Sequence, residues 1–446
     1  MVNDPGADVQ QVRAKRVTVA GLGRFGGQIA VARWLVEQGA ARVLVTDQAS
    51  EEKLAHSVKQ LDGLPIEFRL GEHRESDFAG ADLIVASPAI PPTNKYLQAA
   101  RAAGVAITTE VRLFIERCPV PNVGINGTKG KSTTTAMLGA ILKRRLTVHV
   151  GGNIGHSLLP ELDRIDKSDL VVLELSSFML EHLGAMRWSP HLAVVTMVAS
   201  DHLDWHGSQQ AYADAKANIV RFQRPDDLAI LTAEDPGSLA LAGCTRARVV
   251  RFGVANRQPF ELIVPGRHNQ SNAQAAWAAA SQLGVPRDDA EAALREFRGL
   301  PHRLQLVHES NGVRYFNDSI ATIPEAAIAA LDSFPPHRVV QIVGGHDKGL
   351  TMSAMCAALR ERAKAVLCIG DTGKALADAM FSAGGQNAAA VYYCGDLPTA
   401  MKLARQVASS GDVVLLSTGC ASYDQFDNFE QRGEMFAKLA RGEAEA

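Results

Sequence analysis

Asn122-Val123-Gly124-Ile125-Asn126-Gly127-Thr128-Lys129-Gly130-Lys131-Ser132-Thr133-Thr134-Thr135-Ala136-Met137-Leu138 changes character twice along its length. Asn122–Asn126 reads as a strand, and Ser132–Leu138 as the first turns of a helix, with a glycine turn ending in Gly-Lys-Ser between them. Strand, turn and helix in that order make the repeating unit of an α/β fold. Glycines let backbone N–H groups wrap phosphate oxygens, and the helix N-terminus adds partial positive charge. Lys131 is placed to reach the β/γ-phosphates, and the Ser132 hydroxyl to ligate Mg²⁺. ATP is therefore expected on Thr128, Lys129, Gly130, Lys131, Ser132, Thr133 and Thr134. The spacing is compressed relative to the general phosphate loop: Ile125, not a glycine, stands six residues before Lys131, and the nearest glycines are Gly124 and Gly127.

Working outward, short β-branched runs alternate with longer alanine-rich segments almost from end to end. Strands are expected at 16–20, 42–46, 82–86, 146–150, 170–175, 191–198, 228–232, 338–343, 365–369, 390–393 and 412–415. Several are apolar without alternation, as strands of a parallel sheet covered on both faces should be. At 446 residues the chain is too long for one core. Restarts of the pattern at Val17, at Val123 and after the Gly299-Leu300-Pro301 break predict three α/β domains: 1–107, 108–299 and 300–446.

Composition excludes several classes. Hydrophobic residues make up 46% and charged residues 21%, and the formal net charge is −2. That is ordinary globular composition, with no basic excess for a nucleic-acid backbone or a membrane surface. The six cysteines (118, 244, 356, 368, 394, 420) are scattered singly, without metal spacing, and are expected as reduced thiols. Neither a signal peptide nor a membrane span is expected, so the chain reads as cytoplasmic.

Two further clusters carry chemistry. Gly21-Leu22-Gly23-Arg24-Phe25-Gly26, with Asp47 ending the next strand, is the dinucleotide-binding fingerprint. It demands a diphosphate at a helix N-terminus and a sugar beside the acid, which NAD or a UDP-linked substrate both satisfy. Glu174 ends the strand at 170–175, and His202 follows the strand at 191–198 in Ser200-Asp201-His202-Leu203-Asp204-Trp205-His206. Both are expected at the edge where α/β ligands bind, able to hold a cation near Ser132. His202 and His206, four apart, leave zinc as an alternative. Lys216 by itself reads as a helix lysine.

Taken together, these motifs resemble the Mur ligases of peptidoglycan synthesis, and within them the D-glutamate-adding branch. The resemblance spans essentially the whole chain and includes the compressed loop Asn126–Thr133. It implies three α/β domains: a Rossmann-like UDP-binding domain, a central ATPase domain of the phosphate-loop type, and a Rossmann-like C-terminal domain. It also implies ATP-dependent joining of glutamate to UDP-N-acetylmuramoyl-L-alanine through an acyl phosphate, by a chain acting as a monomer. By the same resemblance Gly23, Arg24, Phe25, Asp47, Ser87 and Asn153 contact the UDP substrate. Glu174 and His202, with Ser132, hold Mg²⁺, and Lys216 becomes a further ligand once carbamylated; Lys131, Glu174, His202 and Lys216 form the catalytic set. Asn269, Asn272, Arg303 and Asp318 reach ATP, while Thr322, Lys348, Ser422 and Phe429 hold glutamate. One departure concerns Asn317-Asp318-Ser319-Ile320-Ala321-Thr322, where the family usually carries lysine at the position of Ile320. A related branch that adds L-glutamate also departs there, so the chirality of the glutamate stays open. An NAD-dependent oxidoreductase is the alternative from another class.

Overall fold

The computed structural model describes residues 11–23, 26–255, 257–381 and 388–443. The chain divides into two compact units, residues 1–257 with 272–290, and residues 258–271 with 291–446. The first unit holds two sheets. Strands β1 (Arg16–Ala20), β2 (Arg42–Asp47), β3 (Ile66–Leu70), β4 (Leu83–Ala86) and β5 (Ala106–Thr108) lie in the order β3-β2-β1-β4-β5. Strands β6 (Asn122–Asn126), β7 (Val148–Gly152), β8 (Leu170–Glu174), β9 (Leu192–Val195), β10 (Leu228–Thr232) and β11 (Arg248–Phe252) lie in the order β11-β10-β9-β6-β8-β7. Every pair in both sheets is parallel.

The second unit carries β12 (Gln305–Ser310), β13 (Val313–Asn317), β14 (Val339–Gly344), β15 (Ala365–Ile369), β16 (Ala390–Gly395) and β17 (Val413–Leu416), ordered β12-β13-β17-β14-β15-β16. Only β12 and β13 run antiparallel. The fold is thus α/β with three sheets, as the alternation predicts.

The apolar runs explain the layering. Every residue of β4, β6, β9, β14, β15 and β17 is buried, because helices cover both faces of a parallel sheet. Burying each such Val, Leu or Ile contributes roughly 1.5–3 kcal/mol. In the first unit one apolar cluster runs from Val31, Trp34 and Leu35 to Leu158, Leu159 and Val171, so the two sheets share a core. That continuity fixes the strand ends of the first sheet relative to the glycine loop before Lys131.

The strands missing from the sequence reading have a common physical character. Ile66–Leu70 and Arg248–Phe252 are edge strands that interleave charges, and Ala106–Thr108 is only three residues long. The antiparallel pair β12 and β13 mixes polar and apolar residues without a regular period. The strand expected over 191–198 ends at Val195. Beyond it the backbone leaves the sheet to face the phosphate loop: Thr196 N donates to Asn126 O at 3.0 Å, and Thr128 N to Met197 O at 2.7 Å.

Gly152 closes β7 at φ +95°, and a Cβ there would stand 2.3 Å from Glu174 O. Gly152→Ala is therefore expected to prise β7 from β8 and to destabilise by about 1–3 kcal/mol. Thermal unfolding reads the loss; an unchanged melting temperature would show that the edge can yield.

Candidate active site

The site is built where β6, β8 and β9 end side by side. Gly130 caps the helix Lys131–Leu142 in the left-handed region at φ +86°. A Cβ on Gly127 would lie 1.9 Å from Thr196 Oγ1, and one on Gly130 would lie 2.4 Å from Asn272 Oδ1. Only glycine fits at either place, which lets the backbone of the loop pass close to an anion. Lys131 Nζ donates to Gly127 O at 2.9 Å and to Thr128 O at 3.2 Å, curling over the loop it serves. Ser132 is half-buried and Lys129 exposed, whereas Thr133 and Thr134 are buried in the first helical turn. Thr134 Oγ1 donates to Asn272 Oδ1 at 3.4 Å, which brings one of the two expected adenosine-side asparagines to the loop.

Glu174 is 1% exposed. Its Oε1 accepts from Asn153 Nδ2 at 2.9 Å, and Asn153 N donates to Glu174 O at 2.8 Å. Oε2 has no hydrogen-bond partner. A buried carboxylate oxygen without a donor is costly, and a cation is the natural occupant. Together with the Ser132 hydroxyl, in the first turn of the helix that follows the paired strand β6, the donor set is oxygen-rich and suits a hard ion such as Mg²⁺, which keeps several waters and phosphate oxygens of its own. Among the described residues no group of three or more His, Cys, Asp or Glu side chains is gathered that could hold a metal ion. The zinc alternative loses its second histidine, because His206 Nε2 sits 3.0 Å from Ser177 Oγ and its ring stacks on Phe178. His202 is exposed, at φ +49°, with its ring 4.9 Å from Phe178.

Lys216 lies on the helix Gln209–Arg221 and is 1% exposed. Its Nζ donates to Asn126 Oδ1 at 3.0 Å and lies 4.8 Å over the Tyr212 ring. Burial first, and then the charge of Lys131, bring its pKa down to about 7, against a raising effect from Asp201. Among the described residues no carboxylate forms an ion pair with it, and the amine is held by Asn126 and the Tyr212 ring. Tyr212 OH in turn lies 3.2 Å from Thr128 Oγ1, linking that helix to the loop. Asn126 and Tyr212 were not picked out from sequence. The spacing of Tyr212, four residues before Lys216 on a helix, was the available signal.

In the first sheet, Asp47 Oδ2 accepts from Gly23 N at 3.1 Å and Oδ1 from Ala49 N at 2.8 Å. Ser87 N donates to Ala20 O at 2.8 Å, beside Gly21. These three residues therefore gather at the ends of β1, β2 and β4. Arg24 and Phe25 lie outside the described residues.

In the second unit Asp318 is buried. Its Oδ1 accepts from Leu304 N at 3.1 Å and its Oδ2 from Ser417 Oγ at 2.7 Å. Burial raises its pKa to about 7. Arg303 is exposed, and Asn269 Nδ2 donates to Pro265 O at 2.7 Å. Ser422 is buried, Thr322 and Phe429 are half-buried, and Lys348 is exposed. The Phe429 ring meets His302 edge-on at 5.9 Å. Arg432, another residue without an assigned role from sequence, is buried and ties this loop together through Ser319 Oγ, Ser319 O and Cys420 O. Ile320 is half-buried, with its N donating to His302 O at 3.2 Å.

Comparison with known proteins gives this geometry its setting. Residues 15–109 match the pattern of the Mur ligase MurD-like N-terminal domain, 125–261 that of the Mur ligase middle domain, and 302–420 that of the glutamate ligase domain. A UDP-N-acetylmuramoylalanine–D-glutamate ligase of Roseiflexus sp. is 42% identical, with 96% of this chain and 99% of that protein covered. The chain belongs to the Mur ligase family. A ligase of the same name from Anaeromyxobacter dehalogenans is 40% identical over 97% of this chain and 99% of that protein. Among solved structures, UDP-N-acetylmuramate–alanine ligase MurC of Thermotoga maritima is 24% identical and superposes with a TM-score of 0.61, covering 96% of this chain and all of that one. MurF ligase of the same organism, in complex with ADP, is 19% identical with a TM-score of 0.55, covering 98% and 97%. These two share the fold.

A pH prediction follows from Asp318. Its folded pKa of about 7 stands above its ordinary value of 3.8. The stability it contributes is complete below the ordinary value and is lost as pH rises toward 7. Asp318→Asn removes that loss. The variant is expected to gain about 2–4 °C in melting temperature relative to wild type at pH 8 over its standing at pH 5. Differential scanning at the two values checks it; a pH-independent difference would contradict it.

Proposed function

We propose that this chain joins D-glutamate to the alanine carboxylate of UDP-N-acetylmuramoyl-L-alanine, using ATP, in cytoplasmic peptidoglycan precursor synthesis. The observation that carries the reading is the buried Glu174 with an unpartnered Oε2, set on the strand beside the Lys131–Ser132 loop, in a chain that matches D-glutamate ligases over nearly its full length. An oxidoreductase would leave that arrangement without a task. We further propose domain limits near 107 and 299.

In this reading Gly23, Asp47 and Ser87, with Arg24 and Phe25, hold the UDP end. Lys131 and backbone N–H groups of 129–132 hold the γ-phosphate of ATP, with Thr128, Lys129, Asn269, Asn272, Arg303 and Asp318 on the rest of the nucleotide. Ser132, Glu174 and His202 would hold Mg²⁺, and Lys216 would join them as a carbamate, which turns a buried amine into an oxygen donor. Magnesium supplies charge neutralisation where two anions must meet.

A carboxylate oxygen of the alanine attacks the γ-phosphorus, and ADP leaves. The acyl phosphate then meets the glutamate amine, held by Thr322, Lys348, Ser422 and Phe429. The C–N bond forms, the amine releases a proton, and phosphate departs with the former carboxylate oxygen. Lys131 acts by offsetting charge as the phosphoryl group transfers. Asn153 acts by orienting Glu174. Ile320, a neutral side chain where the family usually has lysine, is the observation that favours the L-glutamate branch as a second reading.

The test is phosphate release from ATP with UDP-N-acetylmuramoyl-L-alanine and either D- or L-glutamate. Release with the D-isomer is expected; preference for the L-isomer moves the chain to the related branch, and release with neither removes the assignment. Lys131→Ala should lower kcat by about 10²–10³-fold while calorimetry still detects the UDP substrate. Loss of both together would contradict the division of labour between the sheets.

A further inference from the structure

A hydrogen bond joins the two sheets of the first unit at the site itself. Trp205 Nε1 donates to Ala89 O at 2.9 Å. Ala89 lies two residues beyond Ser87, in the loop that follows β4, and Trp205 lies three residues beyond His202, in the short helix Leu203–His206 on the segment that follows β9. The indole is not a loose surface ring. It stands 4.8 Å from Phe178 and 4.5 Å from His206, and Phe178 also touches His202 at 4.9 Å. Phe178 is the second residue of the helix Ser177–Ala185, which opens shortly after Glu174, and the adjoining Ser177 Oγ contacts His206 Nε2 at 3.0 Å.

The backbone ties this group together. His202 is held at φ +49°, a strained region for a residue with a side chain. Its carbonyl accepts from Trp205 N at 3.2 Å and from His206 N at 3.0 Å. A displacement of the Ala89 carbonyl is thereby carried through one indole and one tight turn to His202.

We propose that Trp205 is a positioning residue that couples the UDP-substrate loop to the His202 loop, so that filling the first favours the arrangement that receives ATP. It touches neither reacting group. The proposal rests on the reading that Ser87 faces the UDP substrate and His202 the phosphate chemistry. Its thermodynamic content is reciprocal: the UDP substrate tightens nucleotide binding by the same factor that the nucleotide tightens UDP-substrate binding.

Trp205→Phe keeps a ring against Phe178 and removes only the N–H donor; Trp205→Ala removes both. The measurement is calorimetric affinity for a non-hydrolysable ATP analogue with Mg²⁺, with and without saturating UDP-N-acetylmuramoyl-L-alanine. In the wild type the UDP substrate is expected to tighten the analogue about fivefold or more. In Trp205→Phe that ratio should fall toward one, while each ligand alone binds within about twofold of wild type. A wild-type ratio in both variants, or no ratio in the wild type, overturns the coupling. So does equal loss of both single-ligand affinities in Trp205→Phe, which would mark a merely structural role. Failure of the wild type to bind the UDP substrate at all overturns the functional reading beneath it, and is distinguishable because the analogue titration alone still reports on the phosphate loop.

Discussion

The close approach of the phosphate loop to the end of β9 is the constraint on which the rest of the site depends. Gly127 has no room for a Cβ against Thr196, and Thr128 N is bonded to Met197 O. That contact pulls β9 out of the sheet after Val195 and sets where the His202 loop begins. Beside it, at the end of β6, Lys216 Nζ donates to Asn126 Oδ1. A side chain at 127 would push these apart together, which is why the glycine is needed here rather than at the position of Ile125.

Around that contact the protein stations groups that are expensive to bury. A lysine held by an asparagine and a tyrosine, a glutamate with one idle oxygen, and a second lysine folded over backbone carbonyls all sit at the ends of three adjacent strands. Glu174 Oε2 has no hydrogen-bond partner, and Lys216 Nζ is held by an amide oxygen and an aromatic ring. Such an arrangement stabilises charge that arrives with substrates, in a setting of low dielectric where each interaction counts for more than in water. The stability comes instead from the apolar layers on both faces of the sheets.

Much of this was legible in the sequence because its cause is local. The glycine turn before Lys131, the fingerprint at Gly21–Gly26 and the unalternating strands each announce themselves within a few residues. What stayed hidden depends on strand order. Asn126 meets Lys216 across ninety positions because the helix after β9 returns over β6. Asn153 meets Glu174 because β7 pairs with β8. The bond from Trp205 to Ala89 joins two sheets whose relation no local pattern encodes. The edge strands Ile66–Leu70 and Arg248–Phe252 were missed because one side of each faces solvent and admits charge.

The central claim is that the phosphate loop delivers the γ-phosphate of ATP to a carboxylate. It is tested most directly by placing ¹⁸O in the alanine carboxylate of UDP-N-acetylmuramoyl-L-alanine and analysing the phosphate released during turnover with glutamate by mass spectrometry. The account predicts that each phosphate released carries one oxygen from that carboxylate. Phosphate free of the label, formed at the rate of product, would contradict it.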